Sequence, residues 1–149
     1  ETPDADYPLV LCTVREVGHY SCRSMTGNCA ALQSLADEPG RVQINPADAD
    51  ERGIAEGQLV WVRSRRGKVI TRASISERIN AGAIYMTYQW WIGACNELTQ
   101  DNLDPISRTP ETKYCAVQLE AIEDQRWAED FAASAYQTMK TRLIAAVNV

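Results

Sequence analysis

Between Thr13 and Arg23 the chain reads Thr-Val-Arg-Glu-Val-Gly-His-Tyr-Ser-Cys-Arg, which places two guanidinium groups, a carboxylate, an imidazole, a phenol and two hydroxyls in one short segment. Arginine forks, hydroxyls and backbone N–H groups beside a glycine are the donors that hold a phosphate or the polar edge of a ring. The segment therefore suits a large, polar, anionic ligand. Hydrolysis fits it poorly. His19 is the single histidine, so no multi-histidine metal site can form. A Ser-His-Asp triad would have to be built on His19 with Ser21 or Ser24, and the strained G-x-S-x-G turn is absent. Dinucleotide-fold, P-loop and EF-hand signatures are also absent, and Met25-Thr-Gly-Asn28 reads as a turn or cap. No catalytic residue is assigned.

Such a loop needs an anchor. Leu9-Val-Leu-Cys-Thr-Val14 is apolar and β-branched, which predicts a buried strand that delivers residues 15–28 as a loop at its carboxyl end. Loops beyond about 12 residues in a compact domain are usually functional. Ala30 to Ala36 has helical propensity, with Asn28 as N-cap and Pro39-Gly40 as a stop. Val42 and Ile44 mark a short strand. Asn45 as N-cap, Pro46 at N1, Asp48 in the first turn and Gly53 just past the end punctuate a helix of about two turns. Leu59–Val62 and Val69–Ile75 read as strands joined through a hairpin at Ser64–Gly67. Ala83–Tyr88 and Tyr114–Leu119 are further strands, and residues 89–113 between them read as loop with a short helical turn. From Asp124 the period changes: Trp127, Phe131, Ala135, Met139 and Leu143 recur every four residues, which predicts a C-terminal helix over 124–147 that packs through this stripe.

A length of 149 residues with 45% apolar and 23% charged residues is ordinary for one globular domain. A chain this long buries roughly two-thirds of its unfolded surface and needs no disulfide or metal staple. Cys12, Cys22, Cys29, Cys95 and Cys115 are odd in number and form no C-x-x-C pair, which points to a reduced, cytoplasmic setting. The start, Glu1-Thr-Pro-Asp-Ala-Asp6, carries no export signal, and no apolar run approaches the roughly 20 residues that span a bilayer. Its abrupt polar lead into a strand suggests a fragment of a longer catalytic subunit. A net charge of −5 argues against nucleic-acid binding, yet residues 61–78 hold six basic residues against the single acid Glu77, a net +5.

The run Thr13–Ser21 resembles the cofactor loop of molybdenum or tungsten formate dehydrogenases of the dimethyl-sulfoxide-reductase superfamily. Asn45–Ala49, Gly53–Gly57, Val60–Ser64 and Arg66-Gly67 are similar to the helix, turn and hairpin that follow it there. Thr87–Thr99, with Tyr88-Gln-Trp-Trp91, and Pro110–Tyr114 resemble the family's later ligand segments. These motifs occur in order over essentially the whole chain.

The resemblance implies a mainly β fold, a six-stranded double-psi β-barrel with flanking helices and a C-terminal helix, forming a single molybdopterin-dinucleotide-binding domain over 1–149. It implies binding and orientation of a molybdopterin guanine dinucleotide whose metal serves oxidation of formate to carbon dioxide. The metal-ligating residue, the catalytic His and Arg and a [4Fe–4S] cluster would lie in an absent N-terminal part. The other domains of that enzyme and electron-transfer subunits would be the partners. Arg15, Gly18, Ser21 and His19 would serve the pyrophosphate, Glu16 or Asn96 the pterin edge, and Tyr20, Tyr88 and Lys113 would complete the cofactor residues. Three of these have a second reading: Glu16 as a surface partner of Arg15 or Arg23, Tyr88 as a barrel-core aromatic, and Lys113 as a solvated lysine. The pattern departs at Thr112, where an aromatic is expected before the lysine. The alternative function is a stand-alone double-psi barrel interaction module that grips an acidic partner through the basic hairpin 63–72.

Overall fold

The computed structural model describes residues 1–147. Six strands, β1 (Leu9–Val14), β2 (Arg41–Ile44), β3 (Leu59–Arg63), β4 (Lys68–Ile75), β5 (Ala83–Thr87) and β6 (Tyr114–Ala121), close into a barrel in the order β1-β5-β2-β4-β3-β6. Two pairs are parallel, β1 with β5 and β2 with β4, and the remaining contacts are antiparallel, so the expected six-stranded, mainly β barrel forms as a closed mixed sheet. Alternation drives it. In β1 every second residue is buried, and Leu9, Leu11, Val42, Ile44, Ile84 and Met86 meet inside.

The register decides where the loops leave. Val14 pairs with Thr87, and the Tyr88 N–H donates to the Val14 carbonyl at 3.2 Å. The loops that follow β1 and β5 therefore leave the barrel side by side.

Of the helices, α2 (Pro46–Glu51) follows its punctuation: the Asn45 side chain accepts from the Ala47 N–H at 2.9 Å, and Gly53 lies at φ +63° beyond its end. The first helix, α1, is shorter than expected, Ala30–Gln33, and Cys29 takes the N-cap place. Asn28 instead ends a 3-10 turn over Thr26–Asn28 and turns its amide back to the Ser24 carbonyl. Close approach governs the stop. A Cβ on Gly40, at φ +73°, would lie 1.9 Å from the Trp90 ring.

The long helix α3 (Gln125–Val147) forms where expected but docks through a different face. Ala128 and Ala132 pack against Leu59 and Ile70, whereas Trp127, Phe131 and Leu143 of the expected stripe are 47%, 38% and 48% exposed. Small residues let the helix approach the strands closely. Trp127 and Phe131 then flank that contact and lie against Trp61, at 6.4 and 6.0 Å between ring centres. The described part of α3 is not long and apolar enough to cross a membrane.

The hairpin charges are matched within the chain. Arg65 and Arg66 pair with Glu1, Arg65 also with Asp4, Arg63 and Lys68 with Glu120, and Arg72 with Glu129. Hydrogen bonding from Arg66 and Arg65 holds the Glu1 carboxyl down at about 2. Five of the six basic residues of this stretch, all of those on the hairpin, are thus engaged in internal ion pairs.

Candidate functional site

The loop from Arg15 to Asn28 is fastened by three buried side chains. Gln89, the second residue after β5, is 1% exposed. Its Oε1 accepts the Glu16 N–H at 2.9 Å, and its Nε2 donates to the Glu16 and His19 carbonyls at 3.2 and 3.3 Å. A side-chain amide thus takes the place of a neighbouring strand.

His19 is the second fastener. Its ring is buried, with Nε2 2.8 Å from the Ala36 carbonyl and Nδ1 3.0 Å from the Thr26 hydroxyl. A carbonyl only accepts, so Nε2 carries the proton, while the Thr26 hydroxyl accepts from the Tyr20 N–H and donates to Nδ1. The resemblance had His19 serve the pyrophosphate, but the ring points inward because the segment 26–36 supplies a partner for each nitrogen.

Arg23 is the third. At 5% exposure it runs inward, with Nε donating to the Gln89 carbonyl at 2.9 Å and the guanidinium pairing with Asp37 at 3.2 Å and with Glu38. It also lies 4.5 Å from the Trp90 ring centre. Glu38 in turn accepts from the N–H groups of Trp91 and Ile92 at 2.8 and 2.9 Å. Gly18, Ser21 and Arg23 all lie at positive φ (+97°, +44° and +63°). Left-handed backbone at non-glycine residues costs roughly 1–2 kcal/mol each. This buried network offsets that cost and holds the loop's shape.

On the outside, three of the expected residues come together. Arg15, at the end of β1, and Lys113, at the start of β6, both lie over the Tyr88 ring, at 6.0 and 5.3 Å from its centre. Backbone bonds set this up, since the Thr13 N–H donates to the Lys113 carbonyl and the Thr13 hydroxyl to the Thr112 carbonyl. Neither cation belongs to an ion pair among the described residues, and Glu16 pairs with neither Arg15 nor Arg23. Tyr88 is half-buried, with one side packed on the core.

Arg15 and Glu16 also border a groove of about 430 Å³ over β1, β5, β2 and β4, lined as well by Arg41, Gln43, Tyr85 and Thr87. Pockets of about 300–1,000 Å³ hold cofactors and small ligands. Tyr20, further along the loop, is 60% exposed.

Asn96 is exposed on a 3-10 turn, Cys95–Glu97, that packs against the hairpin. Gln89 and Arg23 were not among the residues expected to matter. The available signal was a polar residue directly after an apolar strand in Gln89, and a second arginine in the loop in Arg23.

The cysteines separate by environment. Burial pushes the Cys95 thiol up to about 12 and the Cys115 thiol up to about 11, whereas Cys22 and Cys29 are exposed. Only thiolates alkylate. Iodoacetamide at mildly alkaline pH is expected to label Cys22 and Cys29 and to spare Cys95 and Cys115 until the protein unfolds. Peptide mass mapping before and after denaturation checks this, and native labelling of Cys95 would contradict it.

Comparison with known proteins supplies the family. The profile of the family described as "Molydopterin dinucleotide binding domain" matches residues 9–116. The chain is 67% identical over 138 residues to formate dehydrogenase H of Escherichia coli (strain K12), covering 93% of this chain and 19% of that protein. It is 41% identical over 122 residues to the F420-dependent formate dehydrogenase 2 subunit alpha of Methanococcus maripaludis, covering 82% and 18%. With the periplasmic nitrate reductase of Desulfovibrio desulfuricans it shares 37% over 119 residues, covering 80% and 16%. The chain thus spans about a fifth of the length of these relatives. The structure of acetylene hydratase from Pelobacter acetylenicus superposes with a TM-score of 0.65 at 19% identity, over 78% of this chain and 18% of that one, which is a likeness of fold alone. The barrel, the paired loops and the profile match together place this chain in the molybdopterin dinucleotide binding domain family.

Proposed function

We propose that the chain is the domain of a formate dehydrogenase that binds and orients a molybdopterin guanine dinucleotide, at the rim formed by the loops after β1 and β5. The observation that carries this reading is the cluster of Arg15, Tyr88 and Lys113, two cations without carboxylate partners against one aromatic ring. A flat heterocycle with a pyrophosphate tail needs cations, a stacking edge and free donors. Arg15, Lys113 and Arg41 supply the charge, Tyr88 and Tyr20 the aromatic surface, and Glu16 and Asn96 the polar contacts for a ring edge. Gly18, at positive φ, allows close backbone approach, and Ser21 adds a hydroxyl. His19 contributes by fixing the loop, since both ring nitrogens already have partners.

The 67% identity to a formate dehydrogenase supports formate over nitrate as the substrate of the parent enzyme. When bound, the cofactor would supply the molybdenum or tungsten redox chemistry for oxidation of formate to carbon dioxide, held here by Arg15, Tyr88 and Lys113. The metal ligand, the proton-handling groups and a [4Fe–4S] cluster belong to other domains of that enzyme, which with electron-transfer subunits are the partners, in a reducing cytoplasmic setting. The role of this chain is binding and electrostatics.

The test is the cofactor content of the full-length parent enzyme. In Lys113→Ala, pterin fluorescence per polypeptide after oxidative release is expected to fall about tenfold, since one charge-assisted contact is worth about 1.5–3 kcal/mol. Formate-dependent dye reduction should fall in proportion. Full retention in Lys113→Ala, together with loss in Arg65→Ala on the hairpin, would move the site elsewhere.

A further inference from the structure

We infer that Gln89 is a positioning residue for the cofactor, acting by holding the backbone of Arg15–His19 in its binding shape; this rests on the site reading above. The dipeptide Tyr88-Gln89 divides two tasks between its faces. Tyr88 presents its ring to Arg15 and Lys113 on the outside, while Gln89 is buried and spends its whole amide on the loop.

Three contacts make this specific. The Glu16 N–H and carbonyl both bond to the Gln89 amide, as they would to a paired strand, and the His19 carbonyl takes its second N–H. The carbonyl of Gln89 itself accepts from Arg23 Nε, so one residue ties three points of the loop, at 16, 19 and 23, together. Gly18 lies between the two points held by the side chain. With Glu16 and His19 fixed on either side, the left-handed turn at Gly18 is set before a ligand arrives, and Arg15 is aimed from a backbone that cannot pivot. An anionic ligand then meets donors already in place, which avoids the cost of ordering them.

Substitution separates this role from plain stability. Gln89→Met keeps length and volume and removes all three side-chain bonds. Gln89→Glu keeps the acceptor for the Glu16 N–H and can donate only when protonated. The charged and titratable groups around it are Arg23, backed by Glu38 and Asp37, then Glu16 and His19 of the loop, with Arg15 and Lys113 beyond Tyr88. Val60→Ala, a core truncation on β3, lowers stability without touching the loop.

In the full-length enzyme, pterin per polypeptide is measured after prolonged dialysis across a range of pH, beside the unfolding midpoint of each variant. Gln89→Met is expected to lose at least tenfold more pterin than Val60→Ala. Gln89→Glu should approach wild-type retention at acid pH and lose it relative to wild type as pH rises and the carboxyl ionises. The inference is overturned if Gln89→Met retains cofactor like wild type, or if Val60→Ala loses as much while Gln89→Glu shows no pH response. Loss in Arg15→Lys with full retention in Gln89→Met would overturn this inference alone. Retention in both would overturn the site reading as well.

Discussion

Replacing Arg15 with lysine is expected to lower cofactor retention of the parent enzyme by roughly tenfold to a hundredfold, although the charge is kept. Arginine presents a rigid, planar fork of donors, whereas lysine offers a hydrated point charge on a flexible stem. At this site the fork starts from a backbone fixed by Gln89 and lies beside Tyr88, so its direction is set. Each charge-assisted bond at stake is worth about 1.5–3 kcal/mol, which corresponds to the stated range. Arg65→Ala is the control, because Arg65 is engaged by Glu1 and Asp4. His19→Ala should also lose cofactor, but by releasing the loop from Thr26 and Ala36. Metal and pterin content of the three variants decide the matter, and a lysine variant with full content would contradict the role given to Arg15.

The second large effect concerns stability. Arg23 and Glu38 have side chains 3% and 5% exposed, and removing one member of a buried pair leaves the other charge uncompensated. Such losses cost about 3–5 kcal/mol, far above the value of a surface pair. Arg23→Met is therefore expected to lower the unfolding free energy of the domain by that amount, as measured by denaturant titration. Arg23→Met combined with Glu38→Gln should recover part of it, because the orphaned charge is gone and the amide oxygen can still accept from one of the two backbone N–H groups that Glu38 serves at residues 91 and 92. A single variant within about 1 kcal/mol of wild type would show that the network is not what holds the loop.

Much of the barrel was legible because its signals are local. Strand alternation in β1, the Asn45-Pro46 start of α2 and the turn at Ser64–Gly67 each depend on a few adjacent residues, and each element formed near its expected bounds. What was not legible depends on partners far away in sequence. The stripe on α3 has the right period, yet the strands below accept Ala128 and Ala132, because the distance of approach is set by Leu59 and Ile70 and not by the helix itself. The inward turn of His19 depends on Thr26 and Ala36, and the basic hairpin is answered by acids at residues 1, 4, 120 and 129. In the site, loop composition identified Arg15, and resemblance added Tyr88 and Lys113. The clamp by Gln89 bridges 73 positions and leaves no pattern in the neighbouring residues.

The parallel pairing of β1 with β5 also sets an order of events during synthesis. The loop after β1 leaves the ribosome early, but the strand beside it, the amide that clamps it and the lysine that completes its outer face follow about 70 to 100 residues later. At translation rates of about 5–20 residues per second, that is a delay of several to about 20 seconds. Through this interval the loop is an unstructured tether with no cradle to offer. If this rim holds the cofactor as proposed, a nascent chain stalled before residue 113 should capture no pterin.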